Sequence, residues 1–77
     1  MTLNNAKKGC KYSITDITAD EKIMKRLEAL GFIRGTSITV LNKKKYGAVI
    51  IKVRGTRMAL GKAITQGIAV TEASYEG

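Results

Sequence analysis

Chemistry in this chain has to come from lysines, arginines and a few carboxylates, because histidine is absent and cysteine occurs once, at Cys10. Without histidine there is no imidazole to move protons or to ligate a metal. A single cysteine supplies neither an internal disulfide nor a Cys-x-x-Cys redox pair, and no Cys-rich zinc set. Cys10 itself reads as a small buried side chain on a strand. Asp16, Asp20 and Glu21 lie close together, but beside a helix start, where carboxylates cap the backbone and complement the helix dipole. Neither GxxxxGK[ST] nor GxGxxG occurs, so no nucleotide site is expected. The residues therefore predict no catalytic set, no metal site within one chain and no cofactor.

What the chain does have is positive charge. Fourteen Lys and Arg against six Asp and Glu give +8. A field of that sign attracts polyanions, an anionic membrane surface or an acidic protein, and it also serves simple solubility. The densest cluster is Lys43, Lys44 and Lys45, followed by Tyr46, an amphipathic side chain able to add contact area. Arg34, Arg54 and Arg57 lie in or beside turns. An arginine there can reach outward, toward a GTPase partner in the extreme case, although solvated arginines are commoner. Phe32 and Ile33 are adjacent, so in extended backbone only one faces inward. Candidate partner-binding residues are thus Lys43, Lys44, Lys45, Tyr46, Arg54, Arg57 and Phe32. A nucleic-acid reading draws on the same charge. It lacks aromatics among the basic residues, with only Tyr46 and Tyr12 in place to stack on bases.

The elements that would carry these residues follow from periodicity. With 77 residues, 8.4 kDa and 44% apolar content, one small domain is expected, over residues 9–71. Residues 1–8 read as a flexible N-terminus and 72–77 as a loose tail. The longest apolar run, Ala48 to Ile51, is far below the roughly 20 residues of a membrane span. No apolar stretch follows Lys7 and Lys8, so no secretory leader is expected either. These features predict a soluble cytoplasmic protein.

Cys10, Tyr12 and Ile14 alternate as a half-buried strand. Thr18-Ala19-Asp20-Glu21 has the form of a capping box, with Thr18 as cap and Glu21 reaching back. Ile23, Met24, Leu27 and Leu30 make a helical stripe, which Gly31 ends in a left-handed C′ position. Strands follow around Ile38 and Val40, around Val49, Ile51 and Val53, and around Met58 and Leu60. A hairpin spans Asn42 to Gly47, with Lys43 to Tyr46 at its tip. One helical turn at 62–66 precedes a last strand at 68–71. Gly31, Gly35 and Gly55 are read as backbone requirements at turns. The expected architecture is mostly β with one α-helix: a small five-stranded barrel, with the helix between strands 1 and 2 closing one open end.

Three stretches, Arg26–Gly35, Ile51–Gly55 and Met58–Ile64 continuing to Ile68–Val70, resemble FeoA-type ferrous iron transport proteins in order and spacing, from about Gly9 to Val70. Arg34 departs from the pattern, since members often carry Pro before the second Gly. The resemblance implies an SH3-like barrel working in the cytosol with the FeoB-type membrane transporter of Fe²⁺, which carries a GTP-binding domain. Its action would be protein–protein contact without enzymatic activity, and it would meet the membrane only through that partner. The module also resembles the C-terminal domain of iron-dependent repressors, so a basic nucleic-acid-binding or repressor-associated module is the alternative. Exposed β-edges allow weak self-association.

Overall fold

A computed structural model describes residues 1–73. Among these, five strands form one antiparallel sheet: β1 (Lys11–Ile17), β2 (Ser37–Lys43), β3 (Val49–Val53), β4 (Thr56–Leu60) and β5 (Ile68–Glu72). Helix α1 (Glu21–Ala29) connects β1 to β2, and the short α2 (Lys62–Thr65) connects β4 to β5. Strand order is β4-β3-β2-β1-β5. Alternation works as expected: Tyr12, Ile14, Ile38, Val40, Val49, Ile51, Val53, Leu60, Ile68 and Val70 are buried on one side of the sheet.

The expected closed barrel is not formed, because β4 and β5 do not pair and the sheet stays open. The reason lies in the first residues of the chain. Thr2 forms a bridge to Ala69, and the Val70 N–H donates to the Met1 carbonyl at 2.8 Å. The edge of β5 that would meet β4 in a barrel is therefore taken by the N-terminal segment. Residues 1–8, expected to hang free, instead put Leu3 and Ala6 fully into the core. The Lys7 N–H donates to the hydroxyl of buried Tyr12 at 2.8 Å, which satisfies the polar tip of that ring. Register shifts in β1 at Ile14/Asp16 and in β2 at Val40/Asn42 add the bulges that bend a sheet around its core.

The start of α1 also differs from expectation. Asp20 is the cap, its Oδ1 accepting from the Ile23 N–H at 2.9 Å. Thr18 is engaged elsewhere: its N–H donates to the Gly67 carbonyl at 2.7 Å. A Cβ at position 67 would lie 2.1 Å from the Thr18 oxygen, so no side chain fits there. That approach commits Thr18 to Gly67, and the helix begins two residues later than a Thr18 cap would place it. Glu21 becomes the first helical residue and pairs at the surface with Lys25, 3.9 Å away.

The helix end is as predicted. The Gly31 N–H bonds to the Glu28 carbonyl at 3.0 Å and the Phe32 N–H to the Leu27 carbonyl at 2.9 Å. This is a Schellman motif, with Gly31 at φ +98° and with Leu27 and Phe32 both buried. Phe32 thereby fills the place that Leu30 was expected to take. Leu30, as the C-cap residue, is 49% exposed and does not belong to the inward stripe. Gly35 and Gly55 both have positive φ, as their turns require. At the other end of the chain Glu72 belongs to β5, the Ala73 N–H donates to the Lys11 carbonyl at 3.2 Å, and 74–77 of the expected tail lie outside the described residues.

These two leucines give a paired test. Leu27→Ala should cost about 2–5 kcal/mol in urea unfolding, as for a buried leucine. Leu30→Ala should stay within about 0.5 kcal/mol of the parent. Equal losses from the two variants would show that the helix is rotated from the position described.

Candidate functional site

Exposed basic side chains are spread over the surface, and six of the fourteen, Lys43, Lys44, Lys45, Lys52, Arg54 and Arg57, stand at or beside the two ends of β3. At one end, β2 runs into the hairpin through Lys43, and a tight turn at Lys45–Gly47 leads back into β3. The Lys44 N–H donates to the Ala48 carbonyl at 2.8 Å and closes this tip. Gly47 packs against the Lys62 side chain so closely that a Cβ would lie 2.8 Å from it. The tip is thus seated on α2. Tyr46 occupies left-handed backbone, at φ 65°, and its side chain is 93% exposed. Lys43, Lys44 and Lys45 are exposed beside it. The local backbone therefore spends an uncommon conformation on a non-glycine residue to hold an aromatic ring in solvent.

At the other end, β3 turns into β4 through Arg54 and Gly55 alone. Both have positive φ, 53° and 81°, the pattern of a two-residue type I′ hairpin. The Arg54 side chain lies over Gly31: a Cβ there would meet Arg54 Cδ at 3.0 Å and Nε at 3.2 Å. Its guanidinium thus sits at the C-terminal end of α1, where positive charge complements the helix dipole. Arg57 stands on the solvent face of β4, directly opposite Lys52 of β3.

The predicted partner-binding residues are therefore split. Lys43, Lys44, Lys45 and Tyr46 come together, while Arg54 and Arg57 occupy the opposite end of β3. Phe32 drops out, being fully buried in the helix-end motif, and the exposed member of that pair is Ile33, at 47%. Arg34 pairs at the surface with Asp16 at 3.4 Å. Cys10 is exposed rather than buried, because left-handed Gly9 bends the chain just before it and the alternation begins only at Lys11. The sequence reading left one of Phe32 and Ile33 to be exposed, but two larger surfaces escaped it. Leu30 and Ile33 expose apolar surface near a shallow groove of about 180 Å³ lined by Asp16, Met24, Glu28 and Arg34 among others. Lys11, Thr39, Lys52 and Arg57 fall in one row across four strands. Register alone creates that row, so no local motif announces it.

Among the described residues no three His, Cys, Asp or Glu side chains gather as a metal site would require. No helix among them is long and apolar enough to cross a membrane.

Comparison with known proteins places this arrangement. The model of the FeoA domain matches residues 1–72. A relative from Methanocaldococcus jannaschii, named as an Fe(2+) transport protein A, is 32% identical over 72 residues, covering 94% of this chain and 87% of its own. The solution structure of the FeoA protein from Chlorobium tepidum superposes with a TM-score of 0.88 at 24% identity, over 100% of this chain and 74% of that one. The crystal structure of Stenotrophomonas maltophilia FeoA complexed with zinc, described as a prokaryotic SH3 domain protein, gives 0.79 at 25% identity, over 92% and 89%. The open five-stranded sheet is SH3-like, and a family match spanning nearly all of its residues, with a relative of that identity, means that the chain belongs to the FeoA family.

Proposed function

We propose that this chain is a non-enzymatic accessory protein of ferrous iron uptake that works in the cytoplasm by docking on the cytosolic part of a FeoB-type GTP-binding transporter. The family supplies the process, ferrous iron transport. The observation that carries the mode of action is the seated hairpin tip, with three exposed lysines around a fully presented Tyr46. Three lysines give long-range attraction to an acidic surface, and the ring gives contact area once the surfaces meet. Because Gly47 packs on α2, the tip meets its partner already ordered and loses little entropy on docking. Fe²⁺ in this reading is cargo handled by the transporter. The chain itself contributes charge, shape and one aromatic anchor.

Replacing Lys43, Lys44 and Lys45 together by Ser tests this directly. Association with the purified cytosolic region of the transporter should slow by roughly tenfold at low salt, and its dependence on ionic strength should flatten. The fold should be unchanged, since all three side chains are exposed. An unaltered rate and salt slope would remove the tip from the interface. Tight binding of a DNA duplex by the parent chain at physiological salt would instead favour the nucleic-acid alternative.

A second expectation concerns the cargo. With no histidine and one cysteine, the monomer should show no micromolar one-to-one site in anaerobic calorimetric titration with Fe²⁺. A saturating exothermic site of that affinity would mean that the chain handles iron itself.

A further inference from the structure

Among the described residues the sheet has two outer strands, and only one of them is covered. β5 is bordered by Met1 and Thr2, through the Thr2–Ala69 bridge and the Val70–Met1 hydrogen bond. Among the described residues, β4 pairs with β3 and with nothing else. The turn decides which of its backbone groups are left over. In a two-residue hairpin the flanking residues, here Val53 and Thr56, exchange both of their hydrogen bonds. Met58 and Leu60 then point their backbone groups toward β3 as well. Arg57 and Ala59 turn theirs outward, so two N–H and two C=O groups form an open edge.

The side chains along this edge state what can be added to it. Arg57 faces Lys52 as a non-hydrogen-bonded pair, the type in which opposing Cα atoms approach to about 4.5 Å. Both are exposed, and like charges directly opposite each other are destabilising. The ion pairs among the described residues, Lys25–Glu21 and Arg34–Asp16, leave this couple uncompensated. The same row continues through Thr39 to Lys11 without an acidic residue. On the opposite face of β4, half-buried Met58 packs against the core at its rim.

The geometry points to β4 as an acceptor for an extended acidic segment of a partner protein, added as a sixth strand beside Arg57 and Ala59. Backbone pairing supplies the affinity and the alternate side chains supply the selectivity. A residue opposite Arg57 shares its solvent face, so Asp or Glu there would relieve the Arg57–Lys52 repulsion. The next residue falls on the other face, beside Met58, and should be apolar. The segment recognised therefore alternates acidic and apolar side chains. A second copy of this chain is a poor occupant, since it would bring another +8 and another Arg57 to the same edge. Arg57 stands toward the turn end of this edge and Ala59 toward the end nearer the hairpin tip, and the pairing argument does not depend on the reading given for that tip.

Isotope-labelled protein titrated with a short peptide alternating Glu and Val tests the assignment by NMR. The Arg57 and Ala59 amides should shift and become protected from exchange, and a peptide alternating Lys and Val should leave them unmoved. Ala59→Pro removes an outward N–H and leaves the β3 ladder intact, so it should abolish the response. Arg57→Glu should weaken binding of the Glu peptide by roughly tenfold and admit the Lys peptide, a reciprocal change that misfolding cannot imitate. Equal binding of both peptides, shifts confined to other strands, or an unaffected Arg57→Glu variant would overturn the proposal. So would β4 shifts that depend on protein concentration without peptide, which would make a second copy the occupant. Shifts of these amides with a DNA duplex but not with the Glu peptide would overturn it equally.

Discussion

Arg54 and Gly55 hold the constraint from which the outer half of the molecule follows. Two consecutive residues with positive φ leave only a two-residue turn, and that turn sets Val53 opposite Thr56. Ile51 then faces Met58, and Val49 faces Leu60, on the core side. Lys52 meets Arg57 on the other. A slip by one residue would exchange the two sets, burying two charges and exposing the apolar side chains. Arginine in left-handed backbone costs about 1 kcal/mol relative to glycine. Its side chain, laid across Gly31 at the end of α1, ties the turn to the helix and offsets part of that cost through the helix dipole.

The inner half depends on two close approaches. Gly67 meets Thr18 at a distance no side chain could share, which fixes where β1 ends and where α1 begins. Leu3, Ala6 and the bond from Lys7 to the Tyr12 hydroxyl draw the N-terminal segment over the sheet beside β5. Together these leave the sheet open, with one edge bordered and, among the described residues, the β4 edge unpaired on its outer side. Among the described residues the β4 edge and the hairpin tip are both exposed and both carry positive charge.

Much of this was legible in the residues. Period-two alternation located all five strands, and the Leu27-to-Phe32 helix end was readable because a Schellman motif has a local signature in Gly31. Closure of the barrel was not legible. The segment that takes its place holds Leu3 and Ala6 without any periodic pattern, and its position shows only in long-range contacts such as the bridge to Ala69 and the bond from Lys7 to Tyr12. The cap of α1 was misplaced for a related reason: Thr18 and Asp20 are both good caps, and a backbone bond to Gly67, forty-nine residues away in the chain, decides between them. For the candidate site, contiguous Lys43 to Tyr46 could be read directly. The row from Lys11 through Lys52 to Arg57 could not, since it exists only once four strands are in register.

A small domain of this kind acts through what it presents, and the presented features are a seated lysine–tyrosine tip and an unpaired basic edge. We propose that these surfaces meet a protein partner in ferrous iron transport. Amide hydrogen exchange of the whole chain, with and without the soluble cytosolic region of a FeoB-type transporter, tests it most directly. Slowed exchange at the hairpin tip around Tyr46, or along β4 at Arg57 and Ala59, with the buried strands unchanged, is the predicted result. Identical exchange throughout the chain at saturating transporter domain would contradict it.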